Sequence, residues 1–209
     1  ERWPENPEIA LRYAKGLTNL SYKQEEIEAL QSTVDKLKAI RAQWIEISEI
    51  ALAYAMGLVN LSVEQEEIEA LQSIVAELKA LREQWPENPE IALAYAKGLY
   101  NLSARQEKVE ALQPTIAELK ALSEQWFETL EIALWYTEGL VNLSARQEEV
   151  EALQSTVAEL KAFCGKWPET LEIALRYAKG LVNLSARQEK VEVYQTIDKL
   201  KALSEQWTE

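Results

Sequence analysis

The sequence contains no histidine and a single cysteine, Cys164, among its 209 residues. Histidine is the commonest general base and zinc ligand, and it activates most serine and cysteine nucleophiles. Its absence predicts that the protein is not an enzyme and has no catalytic residue, metal site or cofactor. A lone cysteine cannot form an internal disulfide, and the N-terminus shows no secretory leader, so we expect a cytoplasmic location.

Long apolar runs and basic clusters are also missing. The longest nearly apolar stretch, residues 50–59, spans about ten residues, whereas a membrane-spanning helix needs roughly 20. The net charge is −13, with 35 acidic and 22 basic residues, and this excess opposes binding to phosphate backbones or anionic lipid. We therefore expect neither nucleic acid nor a membrane as partner, while the 47% apolar content is sufficient for a well-filled core.

Tryptophan recurs at a nearly constant interval, and the sequence around it recurs as well: "WPENPEIALRYAKGLTNLS" returns as "WPENPEIALAYAKGLYNLS". A fixed period of this length is typical of a solenoid, in which each unit buries its apolar face against its neighbours. Residues 1–209 are thus predicted to form a single array. The tryptophans are Trp3, Trp44, Trp85, Trp126, Trp167 and Trp207, and they define five repeats at about 3–43, 44–84, 85–125, 126–166 and 167–206.

Each repeat is predicted to contain two helices, which we call helix A and helix B. Good N-cap residues precede helix A in four repeats (Asn6, Asn88, Thr129 and Thr170), and Ser48 is the alternative start in the second. Each repeat also carries a Ser-x-x-Gln pattern, such as Ser21 with Gln24, which predicts a capping box at the start of helix B.

Helix B is predicted to be the longer helix, with an apolar stripe on one face and a bend or break at Pro114, because proline removes a helical hydrogen bond. A break there would give three helices per repeat, in an armadillo-like arrangement. Two helices per repeat is the favoured interpretation.

The spacing of Ala10, Tyr13, Ala14, Leu17 and Leu20 resembles that of the tetratricopeptide (TPR) family, although the residue types differ and the repeat is longer. The resemblance rests on pattern and covers the whole chain. It implies an all-α, right-handed α-solenoid of about five stacked helical hairpins, a TPR-like superhelix. It also implies that the concave surface, lined by A helices, binds peptides or protein segments.

A helical projection of helix A separates a nearly invariant arc from a variable one. The invariant arc carries Tyr13 and Gly16 and their equivalents, and a close approach between helices would explain the recurring mid-helix glycine. The variable arc and the adjoining asparagines form the predicted partner-binding groove. Its residues are Arg12, Lys15, Thr18, Asn19, Met56, Val59, Asn60, Lys97, Tyr100, Asn101, Trp135, Glu138, Val141, Asn142, Arg176, Lys179, Val182 and Asn183.

Two features of this groove have alternative interpretations. Trp135 is the one tryptophan outside the period, so it is either an anchor for a partner side chain or incidental surface packing. The recurring asparagines either bind an extended peptide backbone or satisfy carbonyl groups at the end of helix A. Each also begins an Asn-Leu-Ser glycosylation sequon, but capping explains the serines and nothing indicates secretion.

Two functions are consistent with these patterns. The preferred one is a protein–protein interaction module that binds a peptide or protein segment in the groove, as part of a larger scaffold or sensor protein. The alternative is a structural protein whose repeats stack end to end into fibres or tubes. Neither end of the sequence has a polar capping helix, which predicts an excerpt of a longer array or self-association through uncapped ends.

Overall fold

The computed structural model describes residues 6–207, apart from the side chains of residues 190 and 191. These residues form ten α-helices and no strand, with two helices in each repeat. The fold is therefore all-α, and the prediction of two helices per repeat is confirmed. The prediction that helix B is the longer one is wrong in the second, third and fourth repeats, where both helices have 17 residues. The helices are α1 (Pro7–Ser21), α2 (Ile27–Gln43), α3 (Ser48–Glu64), α4 (Ile68–Gln84), α5 (Pro89–Arg105), α6 (Val109–Gln125), α7 (Leu130–Arg146), α8 (Val150–Lys166), α9 (Leu171–Ser185) and α10 (Lys190–Gln206).

The chain divides into two compact units, Glu1–Arg105 and Gln106–Glu209. In the first unit the A helices α1, α3 and α5 pack side by side, and α2 and α4 each pack against the A helix before and the A helix after them. In the second unit α7 and α9 pack side by side, α8 lies against both, and α6 and α10 pack against α7 and α9 respectively. Each unit is a stack of helical hairpins, as expected for a repeat solenoid. The handedness of a superhelix stays a prediction.

The starts of the A helices follow the predicted caps. The Oδ1 atom of Asn6 accepts hydrogen bonds from the amides of Glu8 and Ile9 at 2.9 and 3.3 Å. The equivalent Asn88 accepts from residues 90 and 91. Helix α3 begins at Ser48, and α7 and α9 begin directly after Thr129 and Thr170. Side-chain caps thus hold the starts of α1 and α5, whereas α3, α7 and α9 begin at the expected residues without a side-chain cap hydrogen bond.

The predicted capping box at the start of helix B is wrong. Ser21, Ser62 and their equivalents lie in the last turns of the A helices, and the B helices begin several residues later, for example at Ile27 and Ile68. The serine hydroxyls donate to carbonyl groups three residues earlier, as Ser62 Oγ does to Val59 at 2.7 Å. The glutamine instead accepts from a threonine of helix B in four repeats, and the Thr33–Gln24 bond is 2.9 Å long.

Of the bend or break predicted at Pro114, the break is wrong, and the bend stays a prediction. Helix α6 runs without interruption from Val109 to Gln125 and contains Pro114 as its sixth residue. The side chain of Pro114 is exposed, so its ring points to solvent rather than into the packed face. The flanking Leu112, Thr115 and Ile116 remain buried, and their packing holds the helix together despite the missing donor.

The recurring tyrosine and glycine mark the face of helix A that receives helix B of the preceding repeat. Tyr54, Tyr95, Tyr136 and Tyr177 are all buried. A Cβ atom added to Gly57 would lie 2.6 Å from Cδ1 of Leu37, and similar distances apply to Gly98, Gly139 and Gly180. The predicted close approach is therefore confirmed at these four glycines. Tyr13 and Gly16 in α1 are exposed and are the exception among the described repeats.

Candidate functional site

The predicted groove residues of the first unit differ widely in accessibility. Arg12, Lys15 and Asn19 on α1 are exposed. Thr18 is half-buried, because its hydroxyl donates to the carbonyl oxygens of Ala14 and Ala53, both at 3.1 Å. The half-buried residues on α3 and α5 are Met56, Asn60, Lys97 and Tyr100, while Val59 and Asn101 are buried.

In the second unit the surface of α7 and α9 is more open. Lys179 and Val182 are exposed, and Val141 is buried. The remaining predicted groove residues are half-buried: Trp135, Glu138, Asn142, Arg176 and Asn183.

Val59 and Val141 are not accessible to a partner, which corrects their assignment to the groove. Val59 is 1% exposed, and its equivalent Thr18 contacts the backbone of Ala53 on the next A helix. This position of helix A therefore faces the following A helix where one is present, and its equivalent on α9, Val182, is exposed because the described residues place no further A helix against α9. A projection of one isolated helix could not reveal it, because the burial arises from side-by-side packing of A helices.

The asparagines form rungs between successive A helices. The Nδ2 atoms of Asn60 and Asn101 donate to the hydroxyls of Ser21 and Ser62, each at 2.7 Å, and Asn183 donates to Ser144 at 2.8 Å. Each of these serines donates in turn to a carbonyl group of its own helix. These three asparagine amides therefore stabilise the stack, which neither sequence-based interpretation of the asparagines anticipated.

A second inter-repeat contact joins successive B helices through the buried tyrosine. Lys38 of α2 forms a 2.9 Å ion pair with Glu77 of α4, and the hydroxyl of Tyr54 donates to the same carboxylate. Burial, followed by the hydrogen bond to Glu77, raises the pKa of Tyr54 well above its usual range. In the second unit Lys120 and Glu159 form the same pair at 2.6 Å, beside Tyr136.

The most concentrated set of predicted groove residues lies on α7 and α9. A depression of about 420 Å³ is lined by three apolar residues, Leu175, Ala178 and Val182, with polar residues around them. Leu175 and Val182 are 53% and 54% exposed, so the depression has an accessible apolar floor. The surrounding polar residues are Glu138, Glu172, Arg176, Lys179 and Asn183.

Opposite charges are arranged around this floor. The carboxylate of Glu138 lies 2.7 Å from Nε of Arg176 and 3.8 Å from Nζ of Lys179. The side chains of Glu138 and Arg176 are largely enclosed, whereas that of Lys179 is 60% exposed. Glu138 thus holds Arg176 in place, while most of the Lys179 side chain remains accessible to solvent.

The sequence interpretation missed a larger cavity of about 850 Å³ in the second unit, which includes residues of α6 and α8 in its lining. Its aromatic wall is formed by Phe127, Phe163 and Trp167. Lys166 lies 4.9 Å from the centroid of the Phe163 ring, and Tyr136 packs edge-on against this ring with centroids 5.1 Å apart.

The sequence did contain a signal for this cavity. In the first unit Arg41 donates from α2 to Gln84 of α4, and Gln84 donates to the carbonyl oxygen of Ile45, so the corresponding corner is closed by hydrogen bonds. The equivalents of Arg41 and Gln84 are Ser123 and Lys166, and both line the cavity. The hydrogen bonds made by the Arg–Gln pair in the first unit are therefore absent at this corner of the second unit, where the cavity is open.

No protein-family model, no curated protein and no solved structure matches this chain. Over residues 6–207, none of the helices combines the length and apolarity needed to cross a membrane. The same residues contain no group of three or more cysteine or acidic side chains arranged to hold a metal ion.

Proposed function

We propose that this chain is a TPR-like interaction module that binds a peptide or protein segment on the open surface of its A helices, within a larger scaffold or sensor protein. The depression on α7 and α9 supports the proposal, because it combines an exposed apolar floor with oriented charged groups. Interfaces concentrate their binding energy in such partly enclosed apolar sites surrounded by polar groups. The absence of histidine and the single cysteine support a non-enzymatic role and a cytoplasmic location.

The lining indicates what kind of segment would bind. An apolar side chain of the ligand would cover Leu175 and Val182. Burial of their exposed surfaces would supply most of the hydrophobic binding energy of the site. A carboxylate next to that side chain would pair with Lys179, since Glu138 leaves most of this lysine exposed. The expected ligand is therefore a short segment with an acidic residue beside an apolar one.

Selection from a random peptide library on the immobilised chain tests this function. Selected peptides should be enriched in Asp or Glu beside Leu, Ile, Val or Phe. Lys179→Glu should weaken their binding at least tenfold, which corresponds to about 1.4 kcal/mol. Leu175→Ala should also weaken binding, and both variants should retain the wild-type circular dichroism spectrum, because these side chains are more than half exposed.

Lys161→Glu is the matched control, because it makes the same change of charge at an exposed residue of α8, outside the depression. Peptides that lose affinity equally for Lys161→Glu and Lys179→Glu would be responding to overall charge, and this would contradict the proposed site. A library that yields no peptide dependent on Leu175 would contradict it as well.

A second candidate function is end-to-end self-assembly, which is favoured by the apolar residues exposed on α1, such as Ile9 and Leu20. Head-to-tail stacking that does not close would produce fibres or tubes. Sedimentation across a concentration series and negative-stain imaging test this alternative. Growth into filaments would support it, and a monomer at all concentrations would eliminate it.

A further inference from the structure

Both phenylalanines of the chain line the cavity that includes residues of α6 and α8. The sequence contains two phenylalanines, Phe127 and Phe163, and the other repeats carry aliphatic residues or proline at the equivalent positions, such as Ile45 and Leu81. The lining residues all lie between residues 120 and 167, with further repeats on both sides of them in the sequence. The aromatic wall is therefore specific to this corner and is not required by the repeat.

The volume of about 850 Å³ is that of a small-molecule site, since such sites commonly enclose about 300–1,000 Å³. Ser123 stands at the position where Arg41 closes the corner of the first unit. Its hydroxyl donates a 2.8 Å hydrogen bond to the carbonyl oxygen of Lys120 on its own helix. The side chain of residue 123 therefore does not cross the opening.

The aromatic wall already holds one positive group. Nζ of Lys166 lies 4.9 Å from the centroid of the Phe163 ring, within the roughly 6 Å over which an aromatic face attracts a cation. The other two rings of the wall remain accessible, because Phe127 is 70% exposed and Trp167 is half-buried. The same wall can thus receive a second apolar body that carries a positive charge.

Carboxylates outnumber ammonium groups in the lining. The charged residues are Lys120, Glu124, Glu128, Glu159 and Lys166. Glu159 is paired with Lys120 at 2.6 Å. Glu124 and Glu128 are exposed, and neither forms an ion pair with another residue in the part of the chain that the structure describes. Two carboxylates are therefore available to a ligand.

Two titratable groups beside these carboxylates indicate the sign of the local field. The hydrogen bond to Glu159 and the charge of Glu159 raise the pKa of Lys120, and the charge of Glu124 raises it further. Burial raises the pKa of Tyr136, and Glu159 and Glu124 again add to the effect. In both cases the carboxylates favour the protonated form, so the potential in this corner is negative and favours a cation.

We propose that the cavity bounded by Phe127, Phe163 and Trp167 binds a small organic ammonium ion with an apolar body. The apolar body lies against the aromatic rings, and the ammonium group pairs with Glu124 and Glu128. Lys166 competes with this ligand, because its own ammonium group occupies the face of Phe163. The site is separate from the depression on α7 and α9 and does not depend on the proposed binding of peptides there.

The test uses three probes that share a phenylbutyl body and differ in the end group: 4-phenylbutylammonium, 4-phenylbutan-1-ol and 4-phenylbutyrate. At pH 7 the first is a cation, the second is neutral and the third is an anion. Amide chemical shifts of the isotope-labelled 209-residue chain follow each titration. The cation should bind about fivefold more tightly than the alcohol, and the carboxylate should bind most weakly. The amides that shift should include those of Phe127 and Lys166, and Leu175→Ala should leave the affinity unchanged.

Lys166→Met gives the sharpest test, because it removes the competing ammonium group and keeps an unbranched side chain at an exposed position. It should strengthen binding of the cation about threefold, whereas a site for anions would be weakened by the same change. Phe127→Ile, which introduces the residue found at the equivalent Ile45, should weaken binding about threefold through loss of the aromatic face. Both side chains are exposed, so the variants should keep the wild-type circular dichroism spectrum.

A pair of double variants tests the carboxylates. Glu124→Gln with Glu128→Gln should weaken binding of the cation about fivefold. Glu83→Gln with Glu87→Gln is the matched control, because these exposed residues are the equivalents in the preceding repeat and lie outside the cavity. Equal losses in the two double variants would overturn the proposal, and so would weaker binding of the cation by Lys166→Met. Binding of the alcohol or the carboxylate as tight as that of the cation would overturn it as well, as would a cation that shifts no amide at the cavity.

Discussion

The Nδ2 atom of Asn101 donates a 2.7 Å hydrogen bond to Oγ of Ser62, on the preceding A helix. Ser62 is fully buried and Asn101 is nearly so. Because Ser62 also donates to the carbonyl oxygen of Val59, its hydroxyl is used as donor and acceptor at once. Ser62 therefore provides a hydrogen-bond donor to a carbonyl group of its own helix and an acceptor that fixes the register of the next A helix.

Replacement of this serine should destabilise the first unit. Ser62→Ala leaves the amide of Asn101 without its acceptor in a buried site, so we expect the free energy of unfolding to fall by about 1–3 kcal/mol. Urea denaturation followed by circular dichroism measures the change. Ser185→Ala is the control, because Ser185 is half-buried and its hydroxyl donates to Val182 in its own helix. The control should change the free energy by at most about 0.5 kcal/mol, and an equal loss in both variants would contradict the role of the rung.

Two glycines of the second unit should respond to alanine with opposite signs. An alanine Cβ at residue 180 would lie 2.6 Å from Leu160, which is itself fully buried, so Gly180→Ala should destabilise by about 1–3 kcal/mol. At Gly165 on α8 no atom lies within 4 Å, and Gly165→Ala should stabilise by up to about 1 kcal/mol through helix propensity. Melting temperatures of the two variants give the comparison. If both substitutions stabilised the protein, the Leu160 side chain would have to move away from residue 180 at little energetic cost.

Stability should decline at alkaline pH because of the buried tyrosines. Burial raises the pKa of Tyr54 and of Tyr136 above their usual range, and the neighbouring carboxylates of Glu77 and Glu159 raise it further. Above an ordinary tyrosine pKa of about 10 the unfolded chain loses these protons while the folded chain keeps them. Stability is therefore complete below that pH and falls above it, by about 1.4 kcal/mol per pH unit for each tyrosine.

Urea titrations at several values between about pH 9 and pH 11.5 measure this decline. Tyr54→Phe is the diagnostic variant, because phenylalanine cannot ionise in the unfolded chain. Above about pH 10 its free energy of unfolding should fall with a slope that is smaller than the wild-type slope by about 1.4 kcal/mol per pH unit. This difference should appear even though the variant also loses the hydrogen bond to Glu77. The same slope in Tyr54→Phe and the wild type would show that Tyr54 ionises normally in the folded chain.

The sequence predicted those parts of the fold that depend on local chemistry or on the period. Asn6 and Asn88 cap helices where expected, and the glycine at residue 57 marks a close approach because the whole interface recurs. Ser21 was misassigned because the Ser-x-x-Gln spacing that suits a capping box also suits a serine in the last turn of helix A. Its actual partner, Asn60, lies on another helix and cannot be identified from local pattern.

The candidate site was predicted only in part, and for a similar reason. The placement of Glu138, Arg176 and Lys179 on one surface follows from helical periodicity, since all three lie on the same arc of successive A helices. The burial of Val59 depends on how closely two A helices approach each other, and no projection of a single helix contains that distance. The ion pair between Glu138 and Arg176 could have been predicted from their opposite charges at neighbouring positions of the stack.

Pro114 shows how tertiary packing overrides a local rule. Proline in a helix interior costs about 3 kcal/mol relative to alanine, yet α6 continues through it because its buried neighbours are packed. Pro114→Ser, which restores the residue found at the equivalent Ser73, should therefore raise the free energy of unfolding by about 1–3 kcal/mol. The reciprocal change, Ser73→Pro in α4, should lower it by at least a similar amount, since it removes the backbone donor and also the 3.1 Å hydrogen bond from Ser73 Oγ to the carbonyl oxygen of Glu69. Urea denaturation of the two variants and the wild type compares these effects directly. If Pro114→Ser leaves the free energy of unfolding unchanged while Ser73→Pro lowers it, the destabilising effect of proline is limited to α4, and the packing of α6 is adjusted to its proline.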